Sequence, residues 1–429
     1  MLNRIIWLIA SSLIIISGVY FTLKFKFIQF KFIKMIKSLK VKNKNNETIK
    51  PFSSLMMVLA GRIGVGSIAG IAISIYYGGI GSIFWMWVSS ILGASLTFLE
   101  TTLGMIYQKK DDKNICKGGP SYYIKYGLNN KILGSIYAII IIMSDIFGFI
   151  SIQTNTITHS LTEIINIDEF LIGIIICILV LLIIFGGVRR IANFSTKMVP
   201  TMTILYLSVC LIIIVLNIEK IPNIFIEIIK SAFNFKSISG GILGSMIIGI
   251  QRGIFSSEAG IGTGAIASSA TESLTNKEKI SQGYTQMIGV YITTFLICTS
   301  TALVLLVSNV SVFNFSDLNG IEIIQIVFSK YLGNFGNYFI FIIIFLFSFT
   351  TILSSYYNAE SSLKYFVDKP NKSIKILKIS TLISIFMGAI SSSNTIWNFI
   401  DLFVGLLAII NIYALIKLED KVTELLNKN

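Results

Sequence analysis

The chain has 429 residues, 54% of them hydrophobic and 13% charged, with a formal net charge of +14 and a mean hydropathy of +0.79. A soluble domain carries roughly 25% charged residues, so this composition excludes an ordinary soluble fold. Its apolar stretches are long and continuous, which also excludes the short alternating strands of a β-barrel and leaves a polytopic all-α membrane protein.

The first hydrophobic segment, 4–23, resembles a signal peptide. It lacks a small-residue cleavage site and runs into lysines, so it is read as an uncleaved amino-terminal transmembrane helix comprising residues 1–23. Residues 24–50 follow as a basic amphipathic cytoplasmic segment, in which KFKFIQFKFIKMIKSLK alternates Lys with Phe and Ile. That pattern suits an interfacial helix on anionic inner-leaflet lipids better than a nucleic-acid patch.

Ten further segments are read near 53–78, 82–108, 132–160, 170–187, 197–217, 240–270, 283–308, 334–362, 374–392 and 394–416, giving about 11 spans. With the amino terminus outside and the carboxyl terminus inside, 28 of the 35 Lys and Arg fall in cytoplasmic connections and 5 outside. The positive-inside rule selects this orientation. Residues 221–236 and 320–331 read as external surface helices, 218–239 as a connector and 417–429 as a cytoplasmic tail.

Two segments carry residues that weaken a helix at membrane depth. In 58-VLAGRIGVGSIAGIAIS-74, Gly61, Gly64, Gly66 and Gly70 surround Arg62 and Ser67; in 249-GIQRGIFSSEAGIGTGAIASSA-270, Gly253, Gly260, Gly262 and Gly264 accompany Arg252 and Glu258. Non-helical backbone at that depth survives only where it faces protein, water or a ligand. A single such stretch reads as close helix packing between small residues. Here there are two, first and sixth of the ten, in corresponding positions of two five-helix halves, 51–217 and 240–416. That predicts a 5+5 inverted-repeat transporter with its site between two broken helices. A half-helix ending near Gly64 offers carbonyls to a cation, and one starting near Ser67 offers N–H groups to a carboxylate. The Gly64-Val-Gly66-Ser-Ile-Ala-Gly70 run has the wrong spacing and context for a nucleotide loop.

Among the charges, Glu100, Asp145, Glu258, Glu360 and Asp401 lie in or at the ends of apolar segments and are functional candidates by position. Glu258 is expected to pair with Arg62 or Arg252 and brace the breaks; Glu100 and Glu360 are expected near cytoplasmic helix ends, in gating or packing. Asp401 is read as a cap or a hydrogen-bond partner of neighbouring backbone. Phe84, Trp85 and Trp87 read as an interfacial belt. The single histidine, His159, reads as solvated, and the four cysteines form no paired spacing. No GxSxG or HExxH motif is present, so no enzyme is indicated. A membrane hydrolase would leave His159 without a visible partner.

The runs 51-PFSSLMMVLAGRIGVGSIAGIA-72, 78-GGIGSIFWMWVSSILGASLTFLE-100, 118-GGPSYYIKYGL-128, 251-QRGIFSSEAGIGTGAIA-267, 289-GVYITTFLICTSTALVLL-306 and 396-IWNFIDLFVGLLAIINIYAL-415 resemble, in order, the alanine or glycine:cation symporter family. The resemblance implies a leucine-transporter-like fold of ten core helices plus one extra, and sodium-driven uptake of a small neutral amino acid through the cytoplasmic membrane of a prokaryote. It implies no organic cofactor, with Na+ as the coupling ion, and no obligate protein partner. By this resemblance Gly64, Val65, Gly66 and Ser67 meet the substrate carboxylate, and the carbonyls of Phe255, Ser256 and Ser257 receive its ammonium. Gln153 and Asn155 face the site; Thr350 and Thr351 hold sodium with carbonyls near Ala60 and Ile63. The chain departs from the family pattern at Val65 (for Thr), Ser67 and Ser257 (for Asn), Thr293 (for Asp) and Ser355 (for Trp). Asn358 and Ala359 replace an aromatic–glycine pair. Proton coupling, an altered substrate and a non-transporting sensor are the alternatives these departures leave open.

Overall fold

A computed structural model describes residues 2–40, 49–110, 116–234, 241–272, 275–310, 320–367 and 371–428. Lys42 and Lys44 of the basic segment and Lys236 of the connector lie outside the described residues.

The helices in chain order are α1 (Leu2–Lys24), α2 (Phe32–Ser38), α3 (Pro51–Arg62), α4 (Ala69–Gly78), α5 (Ser82–Ile106), α6 (Pro120–Gly127), α7 (Lys131–Met143), α8 (Ile150–Thr162), α9 (Glu169–Ile184) and α10 (Gly187–Leu216). There follow α11 (Ile221–Ala232), α12 (Gly241–Ser257), α13 (Thr263–Ser268), α14 (Asn276–Tyr291), α15 (Thr299–Val307), α16 (Gly320–Leu332), α17 (Asn334–Leu363), α18 (Asn371–Ile390) and α19 (Ser393–Asn427). The only sheet among the described residues is a two-residue antiparallel pairing of β1 (Lys109–Lys110) with β2 (Cys116–Lys117). Counting α7–α8 and α14–α15 as continuous helices, eight are long and apolar enough to cross a membrane.

The packing is inverted relative to a soluble protein. Leu8, Ile16, Ile178, Leu182, Leu211 and Leu216 point outward, whereas Arg62, Glu100, Asp145, Gln153 and Asn411 are buried. Outward apolar faces suit lipid, and the polar interior is where an intramembrane site belongs. Helix α5 lies at the centre against α1, α12, α13 and α14. Small residues permit this closeness: a Cβ on Gly253 would stand 2.5 Å from the Ser89 hydroxyl, and one on Gly93 2.8 Å from Ala259. Gly253 therefore serves helix contact.

Two interruptions had no counterpart in the sequence reading. Residues Ser144–Phe149, between α7 and α8, and Ile292–Cys298, between α14 and α15, form π-helical turns. Such turns recur at functional sites.

One peripheral expectation changes, and two others gain packing partners. Helix α16 is docked rather than lying on the surface, with Ile321, Ile324, Val327 and Phe328 buried against α4, α8 and α17. The Phe84–Trp87 cluster packs on α11: Trp85 Nε1 donates to the Ala232 carbonyl at 3.2 Å, and Phe84 meets Phe233. Helix α2 fastens one face to α14 through Ser38 and Thr285 at 2.8 Å. It leaves Ile33 and Ile36 exposed on the other.

Candidate functional site

The first break begins where α3 ends. Ile63 leaves the helical region, Gly64 is extended, and Val65–Ser67 make a single 3-10 turn before α4. The turn closes on itself, because Ser67 N donates to Gly64 O at 3.1 Å. Gly64 O is therefore taken, and the carbonyls available to a neighbour are those of Ala60 and Ile63. The Thr351 hydroxyl from α17 lies 2.9 Å from Ala60 O and 3.4 Å from Ile63 O. Ser354, one turn further along α17, donates to Met57 O at 3.1 Å. Gln153 of α8 accepts from Val65 N at 3.1 Å. A Cβ on Gly64 would stand 2.6 Å from the Thr351 hydroxyl and 3.0 Å from the Gln153 amide, so only glycine fits between them.

The second break is displaced from its expected position. Phe255, Ser256 and Ser257 complete α12 as helix, and the chain departs at Glu258, Gly260 and Gly262, all with positive φ. Two of these are glycines, which take that conformation at no steric cost; Glu258 takes it against the preference of a side-chain-bearing residue. Side chains from distant helices satisfy the break. The Asn411 amide of α19 donates to Gly260 O and to Glu100 Oε2, both at 2.9 Å. Tyr137 donates a short hydrogen bond to Ile261 O, Tyr123 another to Asn411, and Thr263 donates to Glu258 Oε2 at 2.7 Å. Glu100, in the last two turns of α5, is thereby tied to the second break.

The first break meets the last turn of α12, just before the second break. The Ser67 and Ser256 hydroxyls are 3.1 Å apart, and a Cβ on Gly66 would stand 2.6 Å from the Phe255 ring. The Cys298 thiol lies 2.9 Å from Ser256, and Thr301 donates to Ser67 O at 3.0 Å. Phe255 is held between Phe149 and Trp397, with ring centroids 5.2 and 4.9 Å away.

The charges sort differently from expectation. Arg252 pairs with Asp401 at 2.7 Å and stands 4.5 Å over the Trp397 ring, so Asp401 is an ion-pair partner and no local cap. Arg62 donates to Gln286 O at 3.0 Å and lies in the field of Glu258 and Glu100. It makes no direct ion pair with Glu258 among the described residues. Glu360 pairs with Lys364 at 2.7 Å.

Arg252, Asp401 and Trp397 close the α12 side of the breaks. Beyond α13, Gln108 donates to Ser269 O and Thr271 O at 3.1 and 3.0 Å. There Glu272 contacts Lys110, and its carboxylate holds the Lys110 ammonium above the ordinary lysine range.

Of the residues expected at the site, Ala60, Ile63, Gly64, Val65, Gly66, Ser67, Gln153, Phe255, Ser256 and Thr351 come together. Asn155 points elsewhere: its amide donates to Gly388 O and Ser391 O at 3.1 and 2.7 Å. The Thr350 hydroxyl turns to Phe347 O at 3.0 Å, on the side of Met202. The Ser257 hydroxyl accepts from Ala259 N at 3.4 Å, within its own break. Asn411 went unnoticed, although an amide inside an apolar helix is itself a signal. Cys298, Thr301, Tyr137 and Phe149 gave none.

Comparison with known proteins identifies the family and the fold. The signature of the sodium:alanine symporter family matches residues 1–429. The chain is 36% identical to the probable sodium/glutamine symporter GlnT of Bacillus subtilis, covering 97% of this chain and 87% of that one. It is 34% identical to the amino-acid carrier protein AlsT of the same organism, covering 97% and 88%. The sodium/proton-dependent alanine carrier protein of Bacillus sp. PS3 is 35% identical, covering 90% and 88%. Among solved structures, MhsT in complex with L-phenylalanine superposes with a TM-score of 0.61 at 13% identity, covering 84% of this chain and 87% of that one. The Eremococcus coleocola manganese transporter gives 0.60 at 12%, covering 87% and 79%. Both likenesses concern the fold alone.

Proposed function

The chain belongs to the sodium:alanine symporter family, and on that premise we propose that it carries a small neutral amino acid of the alanine or glycine class together with Na+ by alternating access. The observation that carries this reading is the position of the Thr351 hydroxyl on the carbonyls of Ala60 and Ile63, beside the Ser67–Ser256 contact between the first break and the end of α12. Carbonyl and hydroxyl oxygens are the hard neutral ligands a small monovalent cation takes.

The substrate carboxylate would take the Val65 N–H that Gln153 now accepts, with the N–H groups of Gly64 and Gly66 alongside. The ammonium would lie toward the carboxyl-terminal end of α12, where Phe255, Ser256 and Ser257 offer helix-end carbonyls. Phe149, stacked on Phe255, and the tilted Trp397 bound the side-chain space, and Gly66 admits Phe255 so closely that this space is small. That favours alanine or glycine over glutamine, the substrate in the name of one relative.

In this reading the chain has about 11 spans, ten of them in two inverted halves of five. The amino terminus lies outside, the carboxyl terminus inside, and the membrane is the cytoplasmic membrane of a prokaryote. The Arg252–Asp401 pair then closes the outer side and the Lys110–Glu272 contact the inner. The exposed face of α2 rests on anionic lipid of the inner leaflet. Proton coupling is the alternative to sodium, and a non-transporting sensor is the alternative to transport.

Uptake of labelled alanine, glycine, serine and glutamine by proteoliposomes, with and without sodium, tests the proposal. Sodium-dependent uptake of alanine or glycine is expected. Uptake that follows a pH gradient and ignores sodium overturns the ion, and binding without counterflow overturns transport.

A further inference from the structure

Asp145 sits in the π-helical turn Ser144–Phe149 and is 1% exposed. Among the described residues no hydrogen bond of ordinary geometry reaches either of its carboxyl oxygens, although the Ser355 hydroxyl lies near enough to act on them. The elements packed on the turn are α7, α8, α17, α18 and α19. Glu258, in the second break, is the charged group that acts on Asp145, and the Ser355 hydroxyl of α17 faces it. Tyr137 of α7 lies within the combined field of Asp145, Glu100 and Glu258. The remaining titratable groups are engaged or distant. Asp401 of α19 is tied to Arg252, and Glu360 of α17 to Lys364. Tyr356 is a neutral phenol on α17, and His159 of α8 lines a separate cavity with Glu169 and Ser392. In α18 the stretch 379–390 has no titratable residue.

Among the described residues Asp145 therefore lies in the field of an acid and forms no ion pair. Arg62 is already shared by Glu258 and Glu100. An ionised carboxylate so placed would be desolvated and repelled at once, and such groups neutralise instead. A metal ion is a poor neutraliser here, since no group of three or more ligating side chains converges among the described residues. A proton needs one oxygen.

We propose that Asp145 is a proton-carrying residue of the transport cycle, protonated while the breaks are closed and deprotonated when Glu258 and its segment part from the turn. The inference rests on the transport reading. The proton comes from water on one side of the membrane and forms the O–H bond at the Asp145 carboxyl. It returns to water on the other side as that bond breaks, so it travels with the amino acid. Among the described residues no hydrogen bond joins Asp145 to Thr351 or to the first break, so in this proposal it couples the motion without holding the substrate.

The test uses the full chain in proteoliposomes with a lumenal pH dye, driven by sodium and labelled alanine, with Asp145→Asn beside the wild type. The wild type is expected to acidify the lumen in step with uptake, and the variant to take up alanine with that acidification lost. Wild-type uptake with no proton movement, or acidification that persists in the variant, overturns the proposal. Infrared spectroscopy of the purified protein at neutral pH answers independently of transport. A protonated-carboxyl stretch should be present in the wild type, absent in Asp145→Asn and shifted in Asp145→Glu; a spectrum unchanged by both substitutions overturns the assignment. Absence of uptake in every protein would instead refute the transport reading, leaving the infrared result to decide Asp145.

Discussion

Replacing Gly66 by alanine tests the contact between the first break and the last turn of α12. The added methyl would stand 2.6 and 2.8 Å from two carbons of the Phe255 ring, roughly 1 Å inside the optimum separation for carbon atoms. The ring has nowhere to go, with Phe149 on one side and Trp397 on the other. Trp397 is in turn backed by Arg252. Overpacking of this kind costs about 1–3 kcal/mol. If the cost falls on the closed, substrate-holding arrangement, alanine affinity drops by about 5- to 150-fold.

Gly70 supplies the control. A Cβ there meets nothing closer than 3.7 Å, and inside α4 alanine gains about 1 kcal/mol over glycine in helix propensity. Gly70→Ala should therefore bind normally and melt slightly higher. The assay is equilibrium binding of labelled alanine in saturating sodium, alongside thermal unfolding in detergent. Wild-type affinity in Gly66→Ala, or equal behaviour of the two substitutions, would refute the argument.

Thr351→Val should remove cation dependence while the protein stays folded, whereas Thr350→Val, whose hydroxyl faces Phe347 and Met202, should keep it; sodium titration of substrate binding separates them. Asn155→Ala should lower the melting temperature by loosening α18 from α8 and leave substrate affinity within about twofold, because the two carbonyl bonds it loses are each worth about 0.5–1.5 kcal/mol and lie away from the breaks. Asp401→Ala should destabilise the protein by about 3–5 kcal/mol by stranding the buried Arg252. Arg252→Met combined with Asp401→Leu should recover much of that in thermal unfolding.

The breaks were legible because the sequence must advertise them: glycine and serine inside an apolar span violate the composition that lipid demands. The first break falls where its glycines place it. The second was read around Phe255–Ser257, but helix α12 holds through Ser257, and the chain leaves it where Gly260 and Gly262 relieve the backbone. Gly253 belongs to packing against Ser89, and sequence alone does not separate the two uses of glycine. Pairing was hidden for another reason. Arg252 and Asp401 are separated by 149 residues, and Glu100 and Asn411 by 311, so no local pattern links them. The π-helical turns left no trace either, since one inserted residue hardly alters an apolar run. Asn155 and Thr350 show the limit of matching by motif, because residues on the expected helices present their side chains to other neighbours.

A structure determined with alanine and sodium bound tests the central claim most directly. The account predicts density for the amino acid between Gly64–Ser67 and the end of α12. It also predicts an ion within coordination distance of the Thr351 hydroxyl and the carbonyls of Ala60 and Ile63. An amino acid lodged away from both breaks, or an ion without these three ligands, would contradict it.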